Sequence, residues 1–241
     1  MAWSEYTLLR ALEYEAIAGL RLPGLTLDVG GGSINSYHKI LKIDGRIETV
    51  NIDPAVEPTH IVNLNQPLPF PNGVYDNVIS LNTFEHIFDD RMAISEALRV
   101  LRAGGQFHFI VPFLYRVHSS PHDYHRHTAQ WWEWFLLSLG ADSANFCIEP
   151  LVWDARATAQ ALHVMRGGVR RAGVLALAFF DPGHWARLLV AIIPFLRERP
   201  WRPGASPLSA TDRQRVHYEE AAMYALGYYI HGTLLCRGPH Q

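Results

Sequence analysis

Cysteine is nearly absent: Cys147 and Cys236 are the only two in 241 residues, far apart and in no CxxC spacing. That excludes a disulfide framework and a cysteine-built zinc site, and it fits a reducing cytoplasmic setting. Lysine is as scarce, with Lys39 and Lys42 alone, and no basic–aromatic stripe replaces it, so nucleic acid is not an expected partner. An excess of one charge is lacking too. The formal net charge of −2 gives no global pull toward nucleic acid or anionic lipid. No run of about 18 uncharged apolar residues occurs, so no spanning helix is expected. The nearest approach, at 174–196, is broken by Asp181, Pro182, His184 and Arg187. The opening "MAWSEYTLLRALEYEAIAG" has no basic leader and carries Glu5, Glu13 and Glu15, which marks an amphipathic helix rather than a signal peptide.

What is present is material for a large core, since hydrophobic residues make up 49% of the chain and charged residues 18%. After a helix in 1–24, short apolar runs at 25–32, 46–53, 59–64, 75–82 and 106–113 read as buried strands. Helical spacing appears at 34–43, 89–105 and 129–141, the second of these closing on a Gly-Gly cap. Strands alternating with helices imply an α/β, doubly wound, mostly parallel Rossmann-like sheet of seven strands, with helices on both faces. The last two strands are expected at 145–153 and 226–238. Within a single domain, 25–154 forms the core, 155–225 is a helical cap inserted before the final strand, and 226–241 closes the sheet.

"DVGGGSIN" stands where a strand of such a sheet ends, the edge at which ligands bind. Glycine there lets backbone N–H groups approach a ligand, although a plain tight turn needs only one of the three. The dinucleotide pattern GxGxxG fails, because its third glycine position is Asn35; a nicotinamide oxidoreductase is therefore disfavoured. Asp53, at the tip of the next strand, is suited to two ribose hydroxyls.

Four stretches, "LTLDVGGG", "VNID", "LPFPNGVYDNVISLNTFEHI" and "EALRVLRAGGQFHFIVP", resemble in order and spacing a class I S-adenosylmethionine-dependent methyltransferase of the type 11 group, over about 25–140. The resemblance implies S-adenosylmethionine as cofactor. Asp28, Gly30, Gly31 and Gly32 would surround its methionine end and Asp53 would hold the ribose. Asn63 and the Leu64 backbone would face the adenine, and Leu81 and Asn82 would lie under the sulfonium. Two positions depart from the family: Ile34 stands where a further glycine is usual, and Asn63 where aspartate is frequent. Asparagine still offers a side-chain oxygen to the adenine amino group.

Directly after the fifth strand comes "HSSPHDYHRHT", with four of the chain's thirteen histidines within ten residues. The family often shows a similar H-x-x-P-x-D-Y-x-R-x-T pattern. Three readings stay open for this loop. Asp123 and Arg126 pair while Thr128 caps the next helix and the histidines are solvated. Alternatively His118, His122 or Asp123 binds the acceptor or takes its proton, a task that suits histidine near neutrality. The third reading is a metal site, but the irregular spacing sets no two ligands on one helix face, so no metal ligand is assigned. The candidate catalytic residues are His118, His122 and Asp123. Glu85 and His86, after the fourth strand, read first as a pin between that loop and the following helix. Trp131, Trp132 and Trp134 read as helix packing.

Eight arginines in 155–202 face only Asp181 and Glu198. That charge fits a small-molecule or glycan acceptor of acidic character, a peripheral membrane contact or a homo-oligomer interface as well as a solvated cap. A methyltransferase acting at oxygen is the leading expectation, and a non-catalytic cofactor-binding protein of the same fold is its alternative.

Overall fold

The computed structural model describes residues 7–33, 35–118, 122–153, 158–159, 161–162 and 223–234. The helix α1 spans Leu8–Ala16, and its N-terminus is capped by Thr7, whose side chain accepts from the Arg10 amide. Strands β1 (Arg21–Val29), β2 (Lys42–Asn51), β3 (His60–Ile61) and β4 (Tyr75–Leu81) follow. Then come α2 (Asp90–Val100), β5 (Leu101–Pro112), α3 (Ala129–Ser138), β6 (Phe146–Leu151) and β7 (Gly227–Thr233).

The seven strands form one sheet in the order β3-β2-β1-β4-β5-β7-β6. β7 alone runs antiparallel to its neighbours. Alternation along the strands sends side chains to two separate cores. Val78, Phe107 and Phe109 pack with Ile94 and Leu98 of α2 and with Trp132 and Leu136 of α3. Ile79, Leu81 and Ile110 face the other way, against Leu8, Leu9 and Leu12 of α1. Helices thus cover both faces, as the sequence pattern implies. The strand order reverses between β1 and β4, so the crevice for a ligand opens at the C-terminal ends of these strands.

Three elements differ from expectation. The stretch 34–43 makes only a 3-10 turn over Ser36–Lys39, because Lys42 onward is drawn into β2 by pairing with β1 from Arg21. In that pairing Gly24 faces Gly45, where a Cβ on Gly45 would fall 2.0 Å from the Gly24 carbonyl oxygen. Gly45 is thus a close strand-to-strand contact. The second helix stops at Val100, not at the Gly-Gly pair; Leu101 already pairs with Tyr75, and the register shifts before Asn77. Gly104 and Gly105 therefore sit in an irregular stretch of β5 rather than in a helix cap. The third strand is two residues long. Most of the expected 155–225 insertion lies outside the described residues. Among those described, no helix is long and apolar enough to cross a membrane.

His108 of β5 is buried opposite His231 of β7, its Nδ1 2.6 Å from the Tyr229 hydroxyl. Burial, with a smaller effect from His231, pushes the imidazole from 6.5 down to about 3. The unfolded chain therefore binds a proton between those values that the native state refuses. The resulting stability is complete above about pH 6.5 and is lost as pH falls toward 3. His108→Gln should flatten this acid limb. Melting curves at pH 7 and pH 4 test it, with a smaller acid-induced drop expected in the variant than in the parent.

Candidate active site

Past Val29 the chain turns sharply at Gly30, whose φ of +87° is costly for any residue with a Cβ. The turn also lies hard against the tip of β4, where a Cβ on Gly30 would approach Thr83 Oγ1 to 2.1 Å. A Cβ on Gly31 would meet Asp28 Oδ2 at 2.1 Å, and one on Gly32 the Val56 carbonyl at 2.4 Å. All three glycines are thus required by close packing, which corrects the view that one suffices.

Asn51, at the end of β2, ties this turn to the acid beside it. Its amide donates to the Gly30 carbonyl at 2.7 Å, and its Oδ1 accepts from the Asp53 backbone N–H at 3.0 Å. Asp53 Oδ1 accepts in turn from Ala55 N at 2.9 Å, which fixes an exposed carboxylate at the strand tip.

A cleft of about 630 Å³ opens between these groups, within the range of small-molecule sites. Of the residues assigned to the cofactor, Gly30, Asp53, Asn63, Leu64 and Asn82 line it. Asp28, Gly31, Gly32 and Leu81 stand behind its wall. Asp28 is fully buried, with Oδ2 accepting from Tyr37 OH at 2.6 Å and 2.7 Å from His38 Nε2; Oδ1 has no hydrogen-bond partner among the described residues. It braces the glycine turn from beneath. The expected position of Ile34 lies outside the described residues.

Asn82 adopts a left-handed conformation (φ +52°) and divides the cleft from a second cavity of about 130 Å³. Its amide donates to Glu13 Oε1 at 2.9 Å. Glu13 and Arg10 of α1, with Tyr115 and His118, line the second cavity. Burial raises the Glu13 carboxyl against the opposing pull of Arg10. The first helix therefore belongs to the site, a placement without a signal in the N-terminal sequence.

The histidine-rich loop divides its members. His122 and Tyr124 line the main cleft, beside His86, and His118 lines the second cavity. Asp123 lies buried and receives two hydrogen bonds from Arg126, at 2.5 and 2.6 Å, and another from the His118 backbone N–H at 2.8 Å. Burial alone would raise its carboxyl, yet these donors hold it below the usual range. His118 Nδ1 is 3.1 Å from Asp123 Oδ2. Burial nevertheless lowers the His118 pKa, outweighing that carboxylate, so the ring is neutral at pH 7. Thr128 caps α3 by accepting from Trp131 N at 3.2 Å. Asp90 binds His127 Nε2 at 2.5 Å, and the His127 ring stacks on Trp131. Trp132 is core, whereas Trp134 is exposed.

Glu85 is buried between these groups, and burial pushes its carboxyl up to about 8. Its backbone carbonyl accepts from Tyr124 N at 2.7 Å, which ties the turn after β4 to the histidine-rich loop, not to the following helix as the sequence reading expected. Asn51, Glu13 and Thr83 are the site residues that sequence reasoning missed. Asn51, two residues before Asp53, and Thr83, directly after Asn82, stood next to recognised positions, whereas Glu13 enters only through its contact across the fold with Asn82.

The family model described as "Methyltransferase domain", of the type 11 group, matches residues 27–109. No curated protein sequence matches. Among solved structures, a putative methyltransferase of Haloferax volcanii in complex with the Trm112 methyltransferase activator is similar, with a TM-score of 0.52 and 15% identity. The match covers 98% of this chain and 91% of that one. Phosphoethanolamine N-methyltransferase 2 of Haemonchus contortus, in complex with S-adenosyl-L-methionine, matches with a TM-score of 0.50 and 12% identity over 95% of this chain. This chain spans about half the length of that protein (52%).

Asn51→Ala should remove both bonds that fix the glycine turn and Asp53, at a cost of about 1–3 kcal/mol. Urea denaturation measures this; a variant as stable as the parent would show that the cleft wall is held by other contacts.

Proposed function

We propose that this chain, whose residues 27–109 form a class I S-adenosylmethionine-dependent methyltransferase domain of the type 11 group, methylates a small-molecule or glycan acceptor at oxygen. By that domain the chain is a methyltransferase with S-adenosylmethionine as its cofactor, and the nicotinamide alternative is not favoured. The observation that carries the acceptor reading is the pair of cavities meeting at Asn82, one beside Asp53 and the other beside His118.

In this reading Asp53 takes the ribose hydroxyls, while Asn63 and the Leu64 backbone take the adenine. Gly30 lets the backbone come close to the methionine end, with Gly31, Gly32 and Asp28 holding the turn from behind. Leu81 and Asn82 form the floor at the reacting centre. The cofactor, when bound, supplies an electrophilic methyl group. What the protein adds is alignment and a place for a proton. The acceptor lies in the cavity lined by Arg10, Glu13 and His118. Its oxygen would give up a proton to imidazole and take the methyl group, whose bond to the cofactor sulfur would break as the O–CH3 bond forms, with the thioether as leaving group. His118 and His122 serve that deprotonation, and Asp123, already committed to Arg126, orients His118.

Arg10 gives this cavity a cation suited to an acidic acceptor. The Haemonchus protein is named for a phosphate-bearing acceptor, which agrees with that chemistry. The arginine-rich 155–202 segment, most of it outside the described residues, carries positive charge that suits the same purpose, a membrane surface or a second subunit.

Asp53→Ala should weaken S-adenosylhomocysteine binding by roughly 1–3 kcal/mol. Calorimetry measures it, and unchanged affinity would remove Asp53 from the site. His118→Ala and His122→Ala should slow methyl release on a panel of sugar phosphates and phenols while leaving S-adenosylhomocysteine affinity intact. Wild-type rates in both would make the loop structural. Products methylated only at nitrogen would overturn the assignment to oxygen, and cofactor binding with no methyl release on any acceptor would favour the non-catalytic alternative.

A further inference from the structure

Glu85, His86 and His118 meet in space although 33 residues separate the first from the last. One ligand atom from each lies within 4.8 Å of the others. Glu85 is 2% exposed, and neither of its carboxylate oxygens has a hydrogen-bond partner among the described residues. A buried carboxylate with two unmet oxygens is costly unless a proton or a cation completes it. Two imidazoles stand beside it. His86 Nε2 lies 3.6 Å from Glu85 Oε1, and the His86 and His118 rings meet edge-on with centroids 4.9 Å apart.

Each imidazole also has an oxygen facing its other nitrogen. His86 Nδ1 lies 2.5 Å from the His122 backbone carbonyl, which sets it as the N–H and leaves the Nε2 lone pair free. His118 Nδ1 lies 3.1 Å from Asp123 Oδ2 without a hydrogen bond among the described residues, and Arg126 locks that carboxylate in place beside it. A carbonyl or carboxylate behind each ring is the arrangement that orients histidine ligands toward a metal.

We propose that Glu85, His86 and His118 bind a divalent transition-metal ion of the zinc class. Two imidazoles and a carboxylate suit such an ion better than magnesium or calcium, which prefer oxygen alone. With metal–ligand bonds of about 2.0–2.2 Å, ligand atoms in a tetrahedral site lie about 3.4 Å apart. The present spread of up to 4.8 Å exceeds that by about 1.4 Å, which binding of the ion would have to draw in. The protein supplies three ligands, so a further coordination position remains open, as in catalytic rather than structural sites. His86 borders the cofactor cleft and His118 the acceptor cavity.

The consequence for catalysis rests on the function proposed above. An acceptor hydroxyl at the open position would ionise more readily on the ion, its proton passing to solvent. The ion then takes the His118 lone pair and the Lewis-acid role together. The irregular histidine spacing gives no hint of this, because two of the three ligands come from the turn after β4.

The test is metal binding without methyl donor or acceptor, so its failure leaves the methyltransferase reading standing. Full-length protein stripped with a chelator is titrated with Zn2+ by calorimetry and with Co2+ by visible spectroscopy. One ion per chain is expected, with a cobalt band characteristic of nitrogen–oxygen ligation. Glu85→Gln and His86→Ala should each weaken Zn2+ binding by about tenfold or more, and Asp123→Asn, behind His118, by about tenfold. Circular dichroism confirms folding, and either ligand variant that folds suffices. His127→Ala and His231→Ala remove the other two histidine–carboxylate groupings, Asp90–His125–His127 and Cys147–Glu149–His231, and should leave binding unchanged. Absence of stoichiometric binding, binding that survives Glu85→Gln and His86→Ala, or loss in His127→Ala or His231→Ala would overturn the proposal.

Discussion

One side chain ties the ligand edge of the sheet together. Asn51 donates to the Gly30 carbonyl and accepts from the Asp53 N–H. Those two bonds bind the turn after β1 to the tip of β2. Without them the glycine turn and the acid would be separate loop features, free to move apart. With them, the glycine turn after β1 and the Asp53 carboxylate share one rigid corner. Gly30 adds the second half of the constraint, since its positive φ and its contact with Thr83 bring the tip of β4 against the same corner. Three strands therefore converge on one point, and the cleft is the space they cannot fill.

Asn82 carries the same logic to the second cavity. Its left-handed backbone turns the chain out of β4, and its amide reaches the buried Glu13 of α1. A residue at the end of one strand thereby recruits the N-terminal helix as the wall of a second cavity. The histidine-rich loop closes that region from β5, held by the Asp123–Arg126 pair and by the Tyr124 N–H on the Glu85 carbonyl. The loop is neither purely structural nor purely chemical. Asp123, Arg126 and Thr128 hold its shape, and that shape directs His118 and His122 toward different cavities.

Buried carboxylates recur at this edge: Asp28 beneath the glycine turn, Glu13 beneath Asn82, Glu85 beneath the loop. Asp28 is satisfied on one oxygen by Tyr37 and His38, and Glu13 by Asn82 with Arg10 nearby. Neither oxygen of Glu85 has a hydrogen-bond partner among the described residues, and His86 Nε2 lies 3.6 Å from its Oε1. That difference separates carboxylates that brace the backbone from one whose environment asks for a proton or a cation. It also explains why Asp28, though part of a recognised motif, does not line the cleft: its partners consume the oxygen nearest to the turn.

The amino-acid sequence by itself determined the sheet, its parallel character and the ligand edge, because apolar runs, glycines and an acid-tipped strand are local signals. Gly30 and Asp53 were legible as residues of that edge because each stands at or just beyond a strand end, whereas Asn63 and Asn82, which also line the cleft, came from the family resemblance. The sequence placed the 34–43 helix and the Gly-Gly cap wrongly, because strand pairing with distant partners overrode local spacing. Only the tertiary structure decided that Glu13 belongs to the site, that Asn51 fixes it, and that Glu85 and His86 meet His118. Those contacts join residues 21 to 69 positions apart. No periodicity or motif encodes such a meeting; it exists only once the sheet has brought the strand ends together.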